Sequence, residues 1–106
     1  MLKQKSAIVT GSTSGIGLGI ARGLAGRGAD IMLNGFGNPV EVEFTRGEMQ
    51  RQFGVKVRYS SADMSRPEQV RDMIAAAERE FGKVDIVVNN AGIQHVAPIE
   101  DFADDK

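Results

Sequence analysis

The fold of this chain is decided by residues 10–17, which read Thr10-Gly11-Ser12-Thr13-Ser14-Gly15-Ile16-Gly17. The chain holds 13 glycines in 106 residues, and seven of them fall between Gly11 and Gly28. Residues 6–10 form a short apolar run, which is typical of a buried parallel strand. Beyond the turn, apolar residues recur every four positions from Ile16 to Leu24, which predicts a helix over 16–27. The glycine cluster is therefore the connection between a strand and a helix.

The same alternation continues along the rest of the chain. A helix is predicted over 39–52, where Asn38 and Pro39 supply a cap and a first helical residue, with Val40, Phe44 and positions near Met49 as its apolar face and Gly54 at its end. Another is predicted up to Phe81 after a capping box at Ser65-Arg66-Pro67-Glu68, and Gly82 ends it. Its apolar face is formed by Val70, Met73, Ile74, Ala77 and Phe81. Further strands are predicted at 31–33, 55–59 and 84–88, and Asn34 to Gly37 is interpreted as a turn. Such a β-α-β-α-β-α-β order predicts an α/β fold with a parallel sheet and helices on both faces. The expected architecture is the N-terminal half of a Rossmann-type doubly wound sheet, with strand order 3-2-1-4.

The glycine turn is a candidate site for a pyrophosphate. Backbone N–H groups at a helix start are unpaired and carry partial positive charge, and glycines let a phosphate approach them closely. The alternative is a turn that only packs helix on strand. Other phosphate and nucleophile motifs are excluded, because no P-loop, G-x-G-x-x-G or G-x-S-x-G string is present. Hydroxyls at Ser12, Thr13 and Ser14 are expected to add hydrogen bonds, so the candidate ligands of the turn are Gly11, Thr13, Ser14, Gly15, Ile16 and Gly17.

The pattern T-G-x-x-x-G-I-G resembles the short-chain dehydrogenase/reductase family. Asn89-Asn90-Ala91-Gly92 is similar to the family's N-N-A-G after the fourth strand, and Gly82-Lys83-Val84-Asp85-Ile86 is similar to the entry to that strand. The resemblance covers essentially the whole chain. It implies an oxidoreductase that exchanges hydride with a nicotinamide cofactor. Asn34 to Gly37 and Ala91 to His95 are most similar to the members that act on 3-hydroxybutyrate.

The choice of cofactor depends on the residues after the second strand. An acid about 20 residues after the turn would hold the 2′-hydroxyl of NAD, but Phe36 stands there. The family's NADP enzymes carry a basic residue near this point or before the second glycine, where this chain has Gly37, Asn38 and Ser14. A 2′-phosphate would lack a counter-charge, so NAD is expected.

The resemblance also implies roles for residues outside the turn. Phe36 would lie against the adenosine, or else cap the core as a loop aromatic. Asp63 and the Met64 backbone would contact the adenine, although Asp63 could instead be a carboxylate approaching the Ser65 cap. Asn90, Ala91 and Gly92 would border the ribose and nicotinamide, or Asn89 and Asn90 could serve as turn residues only.

Gln94 is the candidate for binding the substrate. By resemblance, its neutral amide would reach the carboxylate of a 3-hydroxy acid, and the alternative is a solvated loop amide. His95 is the only histidine and has no candidate partners for metal or triad chemistry, so no metal site is expected.

Composition limits the possible partners. The formal net charge is -1, and no basic excess argues for nucleic acid. The chain has no cysteine, and the apolar run before Thr10 is too short for a signal peptide or a membrane span. A cytoplasmic protein without a membrane partner is expected.

The catalytic residues of the family are missing from this sequence. The resemblance implies a catalytic tyrosine with a lysine four residues later, but Tyr59 is the only tyrosine and Asp63 follows it at that distance. We therefore interpret residues 1–106 as the N-terminal, NAD-binding portion of one domain, inactive alone and a homo-tetramer when full length. The alternatives are another reductase of the family, such as a 3-oxoacyl carrier-protein or sugar reductase, and a non-catalytic nucleotide-binding module.

Overall fold

The computed structural model describes residues 1–90, in which four parallel strands form one sheet with three helices packed on it. In chain order the elements are β1 (Ser6–Val9), α1 (Gly15–Gly26), β2 (Asp30–Asn34), α2 (Pro39–Phe53), β3 (Val57–Ser60), α3 (Pro67–Phe81) and β4 (Ile86–Val88). The strand order β3-β2-β1-β4 confirms the predicted order. All four strands therefore end at one edge of the sheet, which is where ligands bind in such folds. None of the three helices in this part is long and apolar enough to cross a bilayer.

The sheet separates two hydrophobic layers, because side chains of adjacent strand residues point to opposite faces. Ala7 and Val9 of β1 join the layer under α1 and α2, which also contains Ile31, Leu33 and Met49. The second layer, under α3, is built from Ile8, Met32, Ala62, Met73 and Ala77. The helices thus cover both faces, as the alternating pattern predicts.

Helix α1 packs on the sheet through small residues rather than through the large apolar ones. Gly17, Ala21 and Ala25 are its buried residues, whereas Ile16 is 75% exposed. The four-residue spacing that predicts the helix is correct, but the face that lies closest to the sheet is one position further along. Small side chains let the helix approach the strands closely, which keeps its N-terminus beside the end of β1.

Helix α2 begins at the predicted cap. The Asn38 side chain accepts hydrogen bonds from the N-terminal turn, Pro39 is the first helical residue, and Gly54 ends the helix in the left-handed conformation. The expected apolar face is right at Met49, which is completely buried, and wrong at Val40 and Phe44, which are 77% and 66% exposed. The buried residues are Val42 and Met49.

The predicted capping box at the start of α3 is also wrong. Arg66 is the N-cap and no side chain caps this terminus within residues 1–90. Ser65 lies one position too early, and its hydroxyl donates to the Asp63 carboxylate instead. The rest of the helix is as predicted, with Met73 and Ala77 buried and Gly82 left-handed at its end.

Candidate cofactor site

The glycine turn leaves the N-terminus of α1 open. Gly11 and Gly15 have backbone φ angles of +60° and +62°, which residues other than glycine rarely adopt. Ser14 is the N-cap of α1, but within the described residues no side chain caps this terminus and no acid lies in its first turn. The N–H groups of the first turn therefore lie at the carboxyl edge of the sheet, and no side chain of residues 1–90 competes for them as an acceptor.

Gly17 brings the turn into contact with the loop after β4. A Cβ at this position would lie 2.1 Å from the Gly11 carbonyl oxygen and 2.7 Å from Asn90 Nδ2. The same Asn90 nitrogen donates to the Gly11 carbonyl at 3.1 Å. Three of the predicted site residues are thus joined although Asn90 is 79 residues from Gly11 in the sequence.

Ser12 has a structural role that differs from the predicted one. It is completely buried, and its hydroxyl donates to the Val9 carbonyl at 2.6 Å while accepting from the Asn34 N–H at 2.9 Å. The expectation that this hydroxyl adds a hydrogen bond to a phosphate is therefore wrong. Its bonds instead hold the turn against the ends of β1 and β2.

Thr13 joins the glycine turn to the loop that follows β2. Its hydroxyl donates to the Phe36 carbonyl at 2.8 Å. Gly35 has a φ of +144°, and a Cβ there would lie 2.9 Å from the Thr13 hydroxyl oxygen. The Phe36 side chain is 72% exposed, so the alternative in which it caps the core is wrong. An exposed aromatic ring thus stands next to the turn, at the edge where a ligand would lie.

Asp63 lies just beyond β3 and is held by its neighbour. Its Oδ1 accepts from the Ser65 N–H at 2.9 Å and from the Ser65 hydroxyl at 2.7 Å. These hydrogen bonds, with a smaller contribution from the Arg66 charge, lower the pKa of the Asp63 carboxyl below its ordinary value. The carboxylate thus has the local role named as its alternative, but the hydrogen bonds it accepts within residues 1–90 all go to Oδ1. Met64 packs its side chain against the layer under α3.

The N-terminus of α2 also points to this edge, and it is closed. Asn38 Oδ1 accepts from the N–H groups of Val40 and Glu41 at 2.9 and 3.2 Å. The Val42 N–H donates to the Asn38 carbonyl, and Pro39 has no N–H. Glu41 adds an acid in the first turn. The N–H groups of Val40, Glu41 and Val42 are thus all occupied by the chain itself.

Asn34 is a site residue that the sequence analysis missed. It is the last residue of β2, not part of a turn, and it is 1% exposed. Its Oδ1 accepts from the Gly11 N–H at 3.4 Å, and its Nδ2 donates to the carbonyls of Ser60 and Ala62 at 3.1 and 3.0 Å. A signal is present in the sequence, since Asn34 is a polar residue that ends an apolar run directly before a glycine.

Tyr59 has a structural role between β3 and the loop after β2. The Tyr59 hydroxyl donates to the Gly35 carbonyl, so this side chain braces β3 against the loop after β2. Ala91, Gly92 and Gln94 lie outside the described residues, and their predicted roles stay predictions.

The sequence comparisons agree with this geometry. The family model described as short chain dehydrogenase matches residues 5–106. A D-beta-hydroxybutyrate dehydrogenase of Cupriavidus necator is 54% identical over 103 residues, which is 96% of this chain and 39% of the relative. A D-beta-hydroxybutyrate dehydrogenase of Rhizobium meliloti is 51% identical over 98 residues, 92% of this chain and 38% of the relative. The chain thus spans somewhat under two fifths of the length of these relatives.

A solved structure has the same fold. The crystal structure of an L-sorbose reductase from Gluconobacter frateurii, complexed with NADPH and L-sorbose, superposes with a TM-score of 0.78 at 38% sequence identity. The match covers 86% of this chain and 34% of that protein. The agreement confirms the predicted Rossmann-type topology and the resemblance stated from the motifs.

Proposed function

Since the chain belongs to the short-chain dehydrogenase family, we propose that it is the NAD-binding portion of a dehydrogenase for a small 3-hydroxy acid. The complete enzyme would interconvert 3-hydroxybutyrate and acetoacetate. The observation that carries the proposal is the open N-terminus of α1 behind a turn of left-handed glycines. A helix N-terminus with free N–H groups is suited to a pyrophosphate. The two relatives described above, both D-beta-hydroxybutyrate dehydrogenases by name, support the substrate.

The residues of the edge fit a dinucleotide along its length. In this proposal Gly11 to Gly17 hold the pyrophosphate, with Thr13, Ser14, Gly15 and Ile16 lining the turn. Phe36 lies against the adenosine, and Asp63 with the Met64 backbone contacts the adenine. Asn90, Ala91 and Gly92 border the ribose and nicotinamide. The bound cofactor would supply the hydride acceptor, and these residues bind and orient it.

NAD rather than NADP is the proposed cofactor, because the region after β2 does not suit a 2′-phosphate. The three positions where NADP enzymes of the family carry a basic residue are occupied here by Ser14, Gly37 and Asn38, none of which is basic. The nearby N-terminus of α2 has its N–H groups taken by Asn38 and carries the negative charge of Glu41. A second phosphate would meet an acid there, and the N–H groups of Val40, Glu41 and Val42 are already bonded to Asn38. The solved sorbose reductase is complexed with NADPH, so selectivity within the family has to be measured for this chain.

No residue of this sequence is assigned the proton-transfer step. The sequence contains no tyrosine followed four residues later by lysine, and the Tyr59 hydroxyl is already engaged with Gly35. In the proposed full-length enzyme, a homo-tetramer, Gln94 donates its amide N–H groups to the substrate carboxylate. The 106-residue chain is expected to bind NAD without oxidising 3-hydroxybutyrate.

Calorimetric titration of the 106-residue chain with NAD and NADP tests the cofactor assignment. Saturable NAD binding, at least about tenfold tighter than NADP binding, is expected. Equal affinities would overturn NAD selectivity, and no binding of either would overturn the cofactor role.

The substrate is tested in the full-length enzyme with Gln94→Ala. We expect KM for 3-hydroxybutyrate to rise about tenfold or more, because the carboxylate loses a hydrogen-bonding partner. Gln52→Ala, which removes an exposed amide on α2, is the matched control. An unchanged KM in the Gln94 variant would favour a different substrate, and the match to a sorbose reductase makes a sugar the first to try.

A further inference from the structure

Asn34 connects the two ends of the proposed cofactor site. On one side its Oδ1 accepts from the Gly11 N–H at the start of the glycine turn, at 3.4 Å. On the other, its Nδ2 donates to the carbonyls of Ser60 and Ala62, which lead directly to Asp63. One side chain thus spans from β1 to β3 across the end of β2. The segments it joins are those proposed to hold the pyrophosphate and the adenine.

The environment of Asn34 fits a positioning role. The residue is 1% exposed, and both the donor and the acceptor of its side-chain amide are used. Its backbone is fixed as well, because its carbonyl accepts from the Ser12 N–H at 2.6 Å and its N–H donates to the Ser12 hydroxyl. A side chain so fully bonded in a buried site has one orientation available. Its hydrogen bonds thus link the glycine turn to the segment after β3, in addition to the pairing of β2 with β1 and β3.

The chemistry of an amide is required for this arrangement. An apolar residue at position 34 would leave the Ser60 and Ala62 carbonyls and the Gly11 N–H without this partner. An aspartate has the same shape, but it is only an acceptor when ionised and cannot donate to two carbonyls. Asparagine alone among the residues of this size supplies an acceptor toward β1 and two donors toward β3.

We propose that Asn34 is a positioning residue that fixes the distance between the pyrophosphate turn and the adenine loop. The proposal rests on the proposed cofactor function. Because Asn34 is 1% exposed, it would act not by contact with a ligand but through Gly11 on one side and through the segment leading to Asp63 on the other. Its loss is expected to weaken binding of ligands that contact both segments at once, in addition to lowering stability.

The decisive variant is Asn34→Asp in the 106-residue chain, because it keeps the acceptor toward Gly11 and removes the donors toward Ser60 and Ala62. We expect Kd for NAD to rise about tenfold at a temperature where the variant is fully folded. Met49→Ala is the control. Met49 lies on α2 and is completely buried, so this substitution empties part of the hydrophobic core. It should lower the melting temperature and leave Kd for NAD unchanged.

The outcomes separate this proposal from the one on which it rests. If the unmodified chain does not bind NAD, the cofactor function fails and the positioning role falls with it. If the chain binds NAD and folded Asn34→Asp binds it equally well, the positioning role alone is overturned. Should Asn34→Asp not fold, hydrogen exchange of the unmodified chain decides. NAD should protect the amide N–H groups of both Gly11 and Asp63, and protection of the turn without the Asp63 segment would overturn the proposal.

Discussion

The N-termini of α1 and α2 lie in equivalent places but are built in opposite ways. Each follows a parallel strand at the carboxyl edge of the sheet, after β1 and β2 respectively. The α1 terminus has glycines, no acid in its first turn and, in the described part of the chain, no side-chain cap. The α2 terminus has Asn38 as a cap, Pro39 without an N–H, and Glu41. Topology gives both helices the same dipole, and the side chains decide which of them remains open to an anion.

An uncapped helix start has a cost, and within residues 1–90 the fold accepts it at α1, without an acid in the first turn, and at α3, where Glu68 lies in the first turn. An Asn cap typically stabilises a helix by about 1 kcal/mol, and α1 forgoes it. The α1 terminus is held instead by contacts outside its own first turn, through Ser12 and through Asn90 on the Gly11 carbonyl. Within residues 1–90 the N–H groups of its first turn thus stay without a side-chain cap, whereas those of α2 are used within the helix.

Filling the space between α1 and the glycine turn should have the largest effect on stability and on NAD binding. In Gly17→Ala the new Cβ would lie 2.1 Å from the Gly11 carbonyl oxygen, so the turn must move away from the helix. We expect a loss of about 3 kcal/mol in the free energy of unfolding. Displacing the turn should also raise Kd for NAD about a hundredfold in the folded protein. Denaturant unfolding and calorimetric titration measure the two effects.

Gly19→Ala is the matched control for that variant. It lies on the same helix, and a Cβ there would meet no atom within 4 Å. Because alanine favours a helix over glycine, this variant should be more stable by about 0.5–1 kcal/mol, with unchanged Kd for NAD. If Gly17→Ala behaved like Gly19→Ala, the close approach of α1 to the turn would not be what forms the site.

The contrast between the two termini could be predicted from the sequence only in part. Asn38-Pro39 is a local signal, since a cap and its helix are adjacent in the chain, and the structure confirms it. The hydrogen bonds of the Ser12 side chain could not be predicted from its neighbours in the sequence. Its partner Asn34 lies 22 residues away, and three adjacent hydroxyl residues look alike until the turn is folded.

The faces of the helices show the same limit. Periodicity predicts α1 and α2 as helices, but Ile16 and Phe44 of the predicted faces are exposed, whereas Ala21 and Val42 are buried. A helical period in the sequence identifies a helix but not the face that lies against the sheet. That face depends on the rotation of the helix, which is set by how closely it packs on the sheet. For α3 the predicted face is right, because Met73 and Ala77 belong to one continuous apolar stripe.

Opening the α2 terminus should have a smaller effect than filling α1. In Asn38→Gly with Glu41→Gln, the N–H groups of Val40 and Glu41 lose the Asn38 acceptor, and the acid of the first turn is removed. We expect NADP to bind more tightly, so that the ratio of the Kd values for NADP and NAD falls about fivefold. Glycine is a tolerated N-cap, so the cost in stability should stay within a few tenths of a kcal/mol.

Glu68→Gln provides the control for this change of charge. Glu68 is likewise an acid in the first turn of a helix, α3, and its removal should leave the ratio of the two Kd values unchanged. A fall of the ratio in both variants would mean that general electrostatics, not closure of the α2 terminus, selects NAD. The effect at α2 should also weaken at high salt, because exposed charges are screened.

A carboxylate at the opposite edge of the sheet should affect stability but not cofactor binding. Asp85 Oδ2 accepts from the Ser6 N–H at 2.9 Å and lies 3.3 Å from Lys83 Nζ. The Ser6 hydrogen bond, followed by Lys83, lowers the pKa of Asp85 from its ordinary value of 3.8. The folded state therefore favours the ionised form, and this contribution is complete above pH 3.8 and is lost as pH falls through the lower folded value.

Asp85→Asn should remove that part of the acid dependence. In urea unfolding, the variant should be less stable than the unmodified chain at neutral pH, and the difference should shrink below about pH 4. Kd for NAD at neutral pH should not change, because Asp85 pairs with the start of β1 and not with its carboxyl end. A weakened NAD affinity in this variant would show that both edges of the sheet contribute to the site, and the two helix termini would then no longer account for cofactor binding by themselves.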